Sequence, residues 1–123
     1  MFPYLHKIYF FHVSIFFIFS GCAYFNTFYN AKVYFQDAEK IRLQKVDESI
    51  PISAIDKYGK VIEKCKKVLR DHPDSKYVSN AYLLMAKARF FRGDYNLALE
   101  DLKRVGDIKK RKIIEEAKYW EAL

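Results

Sequence analysis

The chain has 123 residues, enough for one modest domain and too few for two. It is 51% hydrophobic and 18% aromatic, carries a formal charge of +7 and has two cysteines, Cys22 and Cys65. That excludes a disulfide-rich scaffold, and the lack of any CxxC or Cys/His cluster leaves no metal-ligand spacing.

The first segment reads as an address. Residues 1–7, MFPYLHK, carry Lys7 and no acid, and residues 8–19, IYFFHVSIFFIF, are almost wholly apolar. Ser20-Gly21-Cys22 follows. A basic start, an apolar run of about 7–15 residues and a small-residue exit make a secretory signal peptide, whereas an uninterrupted bilayer span needs about 20 apolar residues. Phe19-Ser20-Gly21-Cys22 resembles a bacterial lipobox: an apolar residue, two small ones and a cysteine. The resemblance implies cleavage between Gly21 and Cys22 and transfer of a diacylglyceryl group to the Cys22 thiol. Each buried methylene of an acyl chain adds about 0.8 kcal/mol of membrane affinity, so several chains hold firmly. Phe19 departs from the usual Leu. Ala23 stands where an Asp would resemble an inner-membrane retention signal, so the resemblance leans towards the outer membrane. A second reading keeps the run as an uncleaved anchor helix from about Ile8 to Phe25. Loss of residues 1–21 removes one charge, Lys7, and takes +7 to about +6.

Residues 22–30 are expected to form a tether. The stretch AYFNTFYN carries no charge, and its aromatics suit either the lipid headgroup level or packing on the first helix. Residues 31–123 are expected to form one helical domain. Ala31, Tyr34, Phe35, Ala38 and Ile41 recur at helical spacing and predict a helix from about Asn30 to Val46. Pro51 disfavours helix at Ile50. Ser53 is the expected N-cap of a second helix, about Ala54 to Asp71, with Asp56 as its capping-box partner. The inward face expected there is Ile55, Tyr58, Ile62, Cys65 and Leu69. A third helix is predicted over Lys76 to Arg92, with Val78, Ala81, Tyr82, Met85, Ala86 and Ala88 inward and Gly93 ending it at positive φ. Asp94 is the expected cap of a fourth, Tyr95 to Val105, facing inward with Tyr95, Ala98, Leu99, Leu102 and Val105. Asp107 to Lys112 reads as a charged connection. A fifth helix runs from about Lys112 through Trp120. No segment has strand period, so the class is all-α.

Residues 79–105 resemble one tetratricopeptide (TPR) repeat, through Tyr82, Met85-Ala86, Gly93-Asp94-Tyr95, Ala98, Leu102 and Val105. Residues 53–75 resemble the second half of a preceding repeat, in which Val61 and Cys65 depart from the usual Ala and aromatic. After Val105 the closing Pro is missing. Residues 117–123 resemble the first helix of a further repeat, with Trp120 and Leu123 at W-x-x-L spacing. The expectation is the N-terminal piece of a longer TPR protein, or a truncated reading frame, rather than a simple capping helix. With the lipobox, these features resemble TPR lipoproteins of the bacterial outer membrane, the BamD-like group. The resemblance implies an α-solenoid of antiparallel helix pairs, tethered by lipid on the periplasmic face, that binds envelope proteins or peptide segments and serves in outer-membrane protein assembly.

Asn80, Leu84, Lys87 and Phe91 are the expected partner-binding positions, on the groove face of the third helix. No cofactor is expected beyond the lipid on Cys22, and neither a small-molecule substrate nor nucleic acid. No catalytic set can be assembled: His72 sits in a turn, Gly93 belongs to no phosphate loop, and Cys65 reads as a buried structural thiol. Two rival readings remain. Lys64, Lys66, Lys67 and the Asp107–Lys112 stretch would suit a basic protein that binds anionic lipid or nucleic acid from an uncleaved anchor. An enzyme subunit whose site lies elsewhere is the other.

Overall fold

A computed structural model describes Lys7 and residues 25–45, 49–106 and 111–123. Cleavage at Gly21-Cys22 and lipidation of Cys22 fall outside the described residues. Every regular element described is helical, and the class is all-α. We number them α1 (25–43), α2 (Ile52–Asp71), α3 (Val78–Arg92), α4 (Tyr95–Gly106) and α5 (Arg111–Glu121). Among the described residues no helix is long and apolar enough to cross a membrane.

Helix α1 already includes residues 25–30, which were expected in the tether. The aromatics at 25, 28 and 29 extend the spacing that Ala31 continues, and neither Pro nor Gly interrupts it. Phe28 is buried with Ala31 and Ala38. Helix α2 starts earlier than Ser53 predicts. Pro51 occupies the N-cap at φ −60° and ψ 142°, without a side-chain cap. Its carbonyl accepts from the Ala54 and Ile55 amides at 2.9 and 3.1 Å. Ser53 therefore lies inside the first turn, where its hydroxyl is no longer at the capping position. The buried stripe of α2 is Ala54, Tyr58, Val61, Cys65 and Val68. Ile62 and Leu69 flank that stripe at its edge, and Ile55 is half-buried. The +3/+4 period and the burial of Tyr58 and Cys65 were right, while the other three positions fall one residue earlier than expected, at Ala54, Val61 and Val68, because small Ala54 takes the closest approach.

Helix α3 begins at Val78, after Ser75 Oγ accepts from the Tyr77 amide at 3.2 Å. Gly93 ends it at φ 82°, where a side chain would be strained, and its amide donates to Phe90 O at 3.0 Å. In α4 the expected inward face is only partly correct. Ala98, Leu102 and Val105 are buried, but Tyr95 and Leu99 are 59% and 41% exposed. Asp101 takes the vacated inward position. Arg89 Nη1 donates to Asp101 Oδ2 at 2.7 Å and to Leu97 O at 3.2 Å, which ties α3 to α4. The register anticipates this: 98, 101, 102 and 105 share one helix face.

Cross-helix contacts give the directions. Arg92 Nη1 donates to Ile55 O at 3.1 Å, so the end of α3 meets the start of α2 and the two are antiparallel. Gly59 admits that guanidinium; an added Cβ would come within 2.9 Å of Nη1. Phe28 stacks on Tyr77 at 5.2 Å, while Arg42 lies 4.4 Å over the Phe91 ring. Thus α1 and α3 run parallel, start beside start and end beside end. Lys87 pairs with Glu116, and Phe90 meets Trp120 edge-on at 5.6 Å, so α5 runs parallel to α3 as well. The odd-numbered helices lie side by side, and α2 and α4 return between them.

Burial raises the Asp101 carboxyl against the opposing pull of Arg89, and burial wins, to about 6. The folded chain therefore holds this proton more tightly than the unfolded one, whose value is 3.8. That contribution is complete below 3.8 and is lost as pH rises through about 6. We expect the stability of the wild type relative to Asp101→Asn, read by urea unfolding, to fall between acid and neutral pH. Arg89→Met at neutral pH leaves a buried charge unpaired and should cost about 3 kcal/mol.

Candidate functional site: a cleft between three parallel helices

A cleft of about 190 Å³ opens where α1, α3 and α5 meet. Phe28 and Lys32 come from α1, Asn80, Leu83, Leu84 and Lys87 from α3, and Glu116 from α5. It continues past Asn80 and Glu116 into a larger depression, about 560 Å³, that reaches Arg111, Lys112 and Ile113. Each odd helix contributes because residues three and four apart share a face. Asn80, Leu84 and Lys87 step along α3 at +4 and +3, and Phe28 and Lys32 step along α1 at +4.

Three of the four predicted binding residues therefore line the cleft. Leu84 forms apolar floor and also packs on the core around Phe28 and Ala81. Asn80 is half-buried and faces both the cleft and its extension. Lys87 is engaged: it pairs with Glu116, and its ammonium lies 5.4 Å over the Trp120 ring. It staples α3 to α5 at the cleft wall. Lys32, exposed on the opposite wall, supplies the more accessible cation.

Phe91 is the exception. Its ring stacks on Tyr58 at 5.3 Å, meets Trp120 edge-on at 5.8 Å and lies under the Arg42 guanidinium. It is packing, not cleft wall, because Phe91 lies seven residues beyond Leu84, where α3 meets the ends of α1 and α5. Arg42 is itself fixed by two bonds to Glu39, Nε to Oε1 at 3.0 Å and Nη2 to Oε2 at 2.7 Å. The Tyr58 hydroxyl donates to the same carboxylate. Burial alone would raise Glu39, but the bonds from Arg42 and Tyr58 outweigh it and hold the carboxyl below its ordinary value. Burial, then the Glu39 hydrogen bond, pushes the Tyr58 hydroxyl up. Both groups keep their neutral-pH forms, so the network is a fixed structural joint.

Phe28, Lys32 and Glu116 were missed from sequence. Phe28 fell within the expected tether, and no local pattern singled out Lys32 on α1 or Glu116 on α5. A helix wheel of α1 drawn from residue 25 would have placed Phe28, Lys32 and Phe35 on adjoining lanes. The α2 lysines named for nucleic acid have local roles in part. Lys64 meets Glu63 at 3.6 Å and Lys67 meets Asp71 at 2.8 Å. A second hollow, about 310 Å³, lies away from the cleft and is lined mainly by Phe90, Tyr95, Leu99, Leu102, Trp120 and Leu123. This is where the exposed Tyr95 and Leu99 face. Among the described residues no group of three or more His, Cys, Asp or Glu is placed to hold a metal. Comparison with protein-family models, curated proteins and solved structures finds no match to this chain.

Truncating Phe91 should loosen the α1–α3–α5 joint. Phe91→Ala is expected to cost about 3 kcal/mol in urea unfolding. The chain has one tryptophan, so the same variant should shift its emission to the red as Trp120 loses a neighbour.

Proposed function

We propose that this chain is a lipid-anchored, TPR-like scaffold on the periplasmic face of a bacterial outer membrane, holding segments of other envelope proteins in the cleft between α1, α3 and α5. The observation that carries this reading is the convergence of three parallel helices on one cleft, with an apolar floor at Phe28 and Leu84 and polar groups at Lys32, Asn80 and Glu116 around it. Such a floor takes one apolar side chain of an extended or helical segment, and the rim orients the segment's backbone and charges. The leader pattern ending in Cys22 supplies the tether, and envelope proteins engaged in outer-membrane protein assembly are fitting partners.

A photo-crosslinking amino acid at Asn80 in cells should capture one or a few envelope proteins. Lys32→Glu with Leu84→Ala should lower that yield roughly tenfold, as expected for losing a polar contact and an apolar anchor worth about 1 kcal/mol or more together. Recovery of RNA, or capture unchanged in the double variant, would contradict the reading. In parallel, globomycin should leave the precursor uncut, and Cys22→Ala should abolish the acyl adduct seen by mass spectrometry.

A further inference from the structure

One end of the helical array differs in chemistry from the other. Phe25 and Tyr29 are 52% and 53% exposed at the start of α1. Their rings stack at 6.2 Å, and Phe25 also lies 6.2 Å from Tyr77 at the start of α3. The Lys76 ammonium sits 5.3 Å over that Tyr77 ring. Lys32 lies about two turns into α1, and Arg111 and Lys112 open α5. Because the odd helices are parallel, these groups share one end: Phe28 stacks on Tyr77, and Asn80 lines one depression with Arg111 and Lys112. Of the acids at this end, Asp71 is paired with Lys67 and Arg70 and Glu115 with Arg111 at 3.2 Å, while Asp74 lies exposed two residues before Lys76, so four cations face one acid outside these pairs. At the other end Asp56, Asp94 and Glu121 interleave with the cations.

We propose that this end is a lipid-facing surface, with Phe25 and Tyr29 at headgroup level and Lys32, Lys76, Arg111 and Lys112 against anionic phospholipid headgroups. Aromatic rings with polar tips suit that interface, and apolar rings enter its acyl boundary. Juxtamembrane cations are drawn to an anionic leaflet over about one Debye length. The inference rests on the anchored reading of Cys22. Two residues, Ala23 and Tyr24, separate Cys22 from Phe25, so three extended peptide links hold them within about 11 Å of each other. A surface so close to the anchor cannot avoid the headgroups, and its composition suits them. The consequence is orientation: the odd helices stand off the membrane from their N-terminal ends, and the cleft faces sideways at a fixed height.

The test uses the full chain purified from bacterial membranes and reconstituted into phosphatidylcholine vesicles, with or without phosphatidylglycerol, containing acyl-brominated lipid. Native Trp120 lies about 12 Å further along α5 than Lys112, and its emission should be insensitive to bromine. In Phe25→Trp on a Trp120→Phe background, emission should be quenched, and more so with phosphatidylglycerol. Tyr29→Trp on that background serves as the second variant, with circular dichroism confirming the fold. Adding Arg111→Glu and Lys112→Glu should remove the phosphatidylglycerol-dependent part. Equal quenching at positions 25 and 120, or quenching blind to phosphatidylglycerol, would overturn the surface. The intact mass of the same sample reads the anchor separately: an unacylated chain starting at Met1 overturns the anchor, and the quenching contrast still decides the surface.

Discussion

Close approach of helix backbones is the constraint on which this structure depends. Ala31, Ala38, Ala54, Ala81 and Ala88 are fully buried, and Ala86, Ala98 and Ala117 nearly so. Interaxial distance is set by the side chains at the crossing, and alanine allows the shortest spacing short of glycine. Large side chains then fill what remains: Tyr58 is the largest fully buried one, with Phe91 stacked on it. Among the described residues the result is two adjoining apolar clusters, one around Tyr58 and one around Leu102 and Val105, bridged by Tyr82. An alanine-rich seam buries little area per residue, so the apolar contribution depends heavily on the few aromatics.

Polar ties then set which helices neighbour which. Glu39 with Arg42 and Tyr58 joins α1 to α2, and Lys57 reinforces the same joint through Asp37 at 3.1 Å and the Tyr34 ring. Arg89 with Asp101 joins α3 to α4. Lys87 with Glu116 and Trp120 joins α3 to α5. The Arg89–Asp101 tie is the least forgiving of register, because both groups are buried and a buried charge without its partner is costly. Cys65 takes no part in such a tie. Burial first, and the Asp101 charge second, push its thiol up to about 12, so it behaves as a small apolar group.

How much of this was legible from sequence depended on the type of signal. Periodicity and the Gly93 stop revealed the helices and their order. The Pro51 break placed the α1–α2 boundary within a few residues. Phase was less legible than period, as in α2, because apolar strength ranks Ile55 and Ile62 above Ala54, while geometry ranks the small residue first. Asp101 and Arg89 escaped notice because charge was read as exposure, although their register pointed inward. The cleft was half legible. Its α3 wall follows from one helix face, but the contributions of Lys32 and Glu116 require knowing that α1 and α5 run parallel to α3, which no local pattern encodes.

The central claim is that α1, α3 and α5 stand side by side and share one cleft. It is tested most directly by placing cysteines at Lys32 and Glu116 in a Cys22→Ala chain and adding a short bifunctional maleimide. Buried Cys65, its thiol held far above neutral pH, should not compete. A cleft lined by both positions predicts a fast intramolecular crosslink that is lost when the second cysteine is moved to the outward position Lys118. Crosslinks forming only between molecules, or equally well from position 118, would contradict the arrangement.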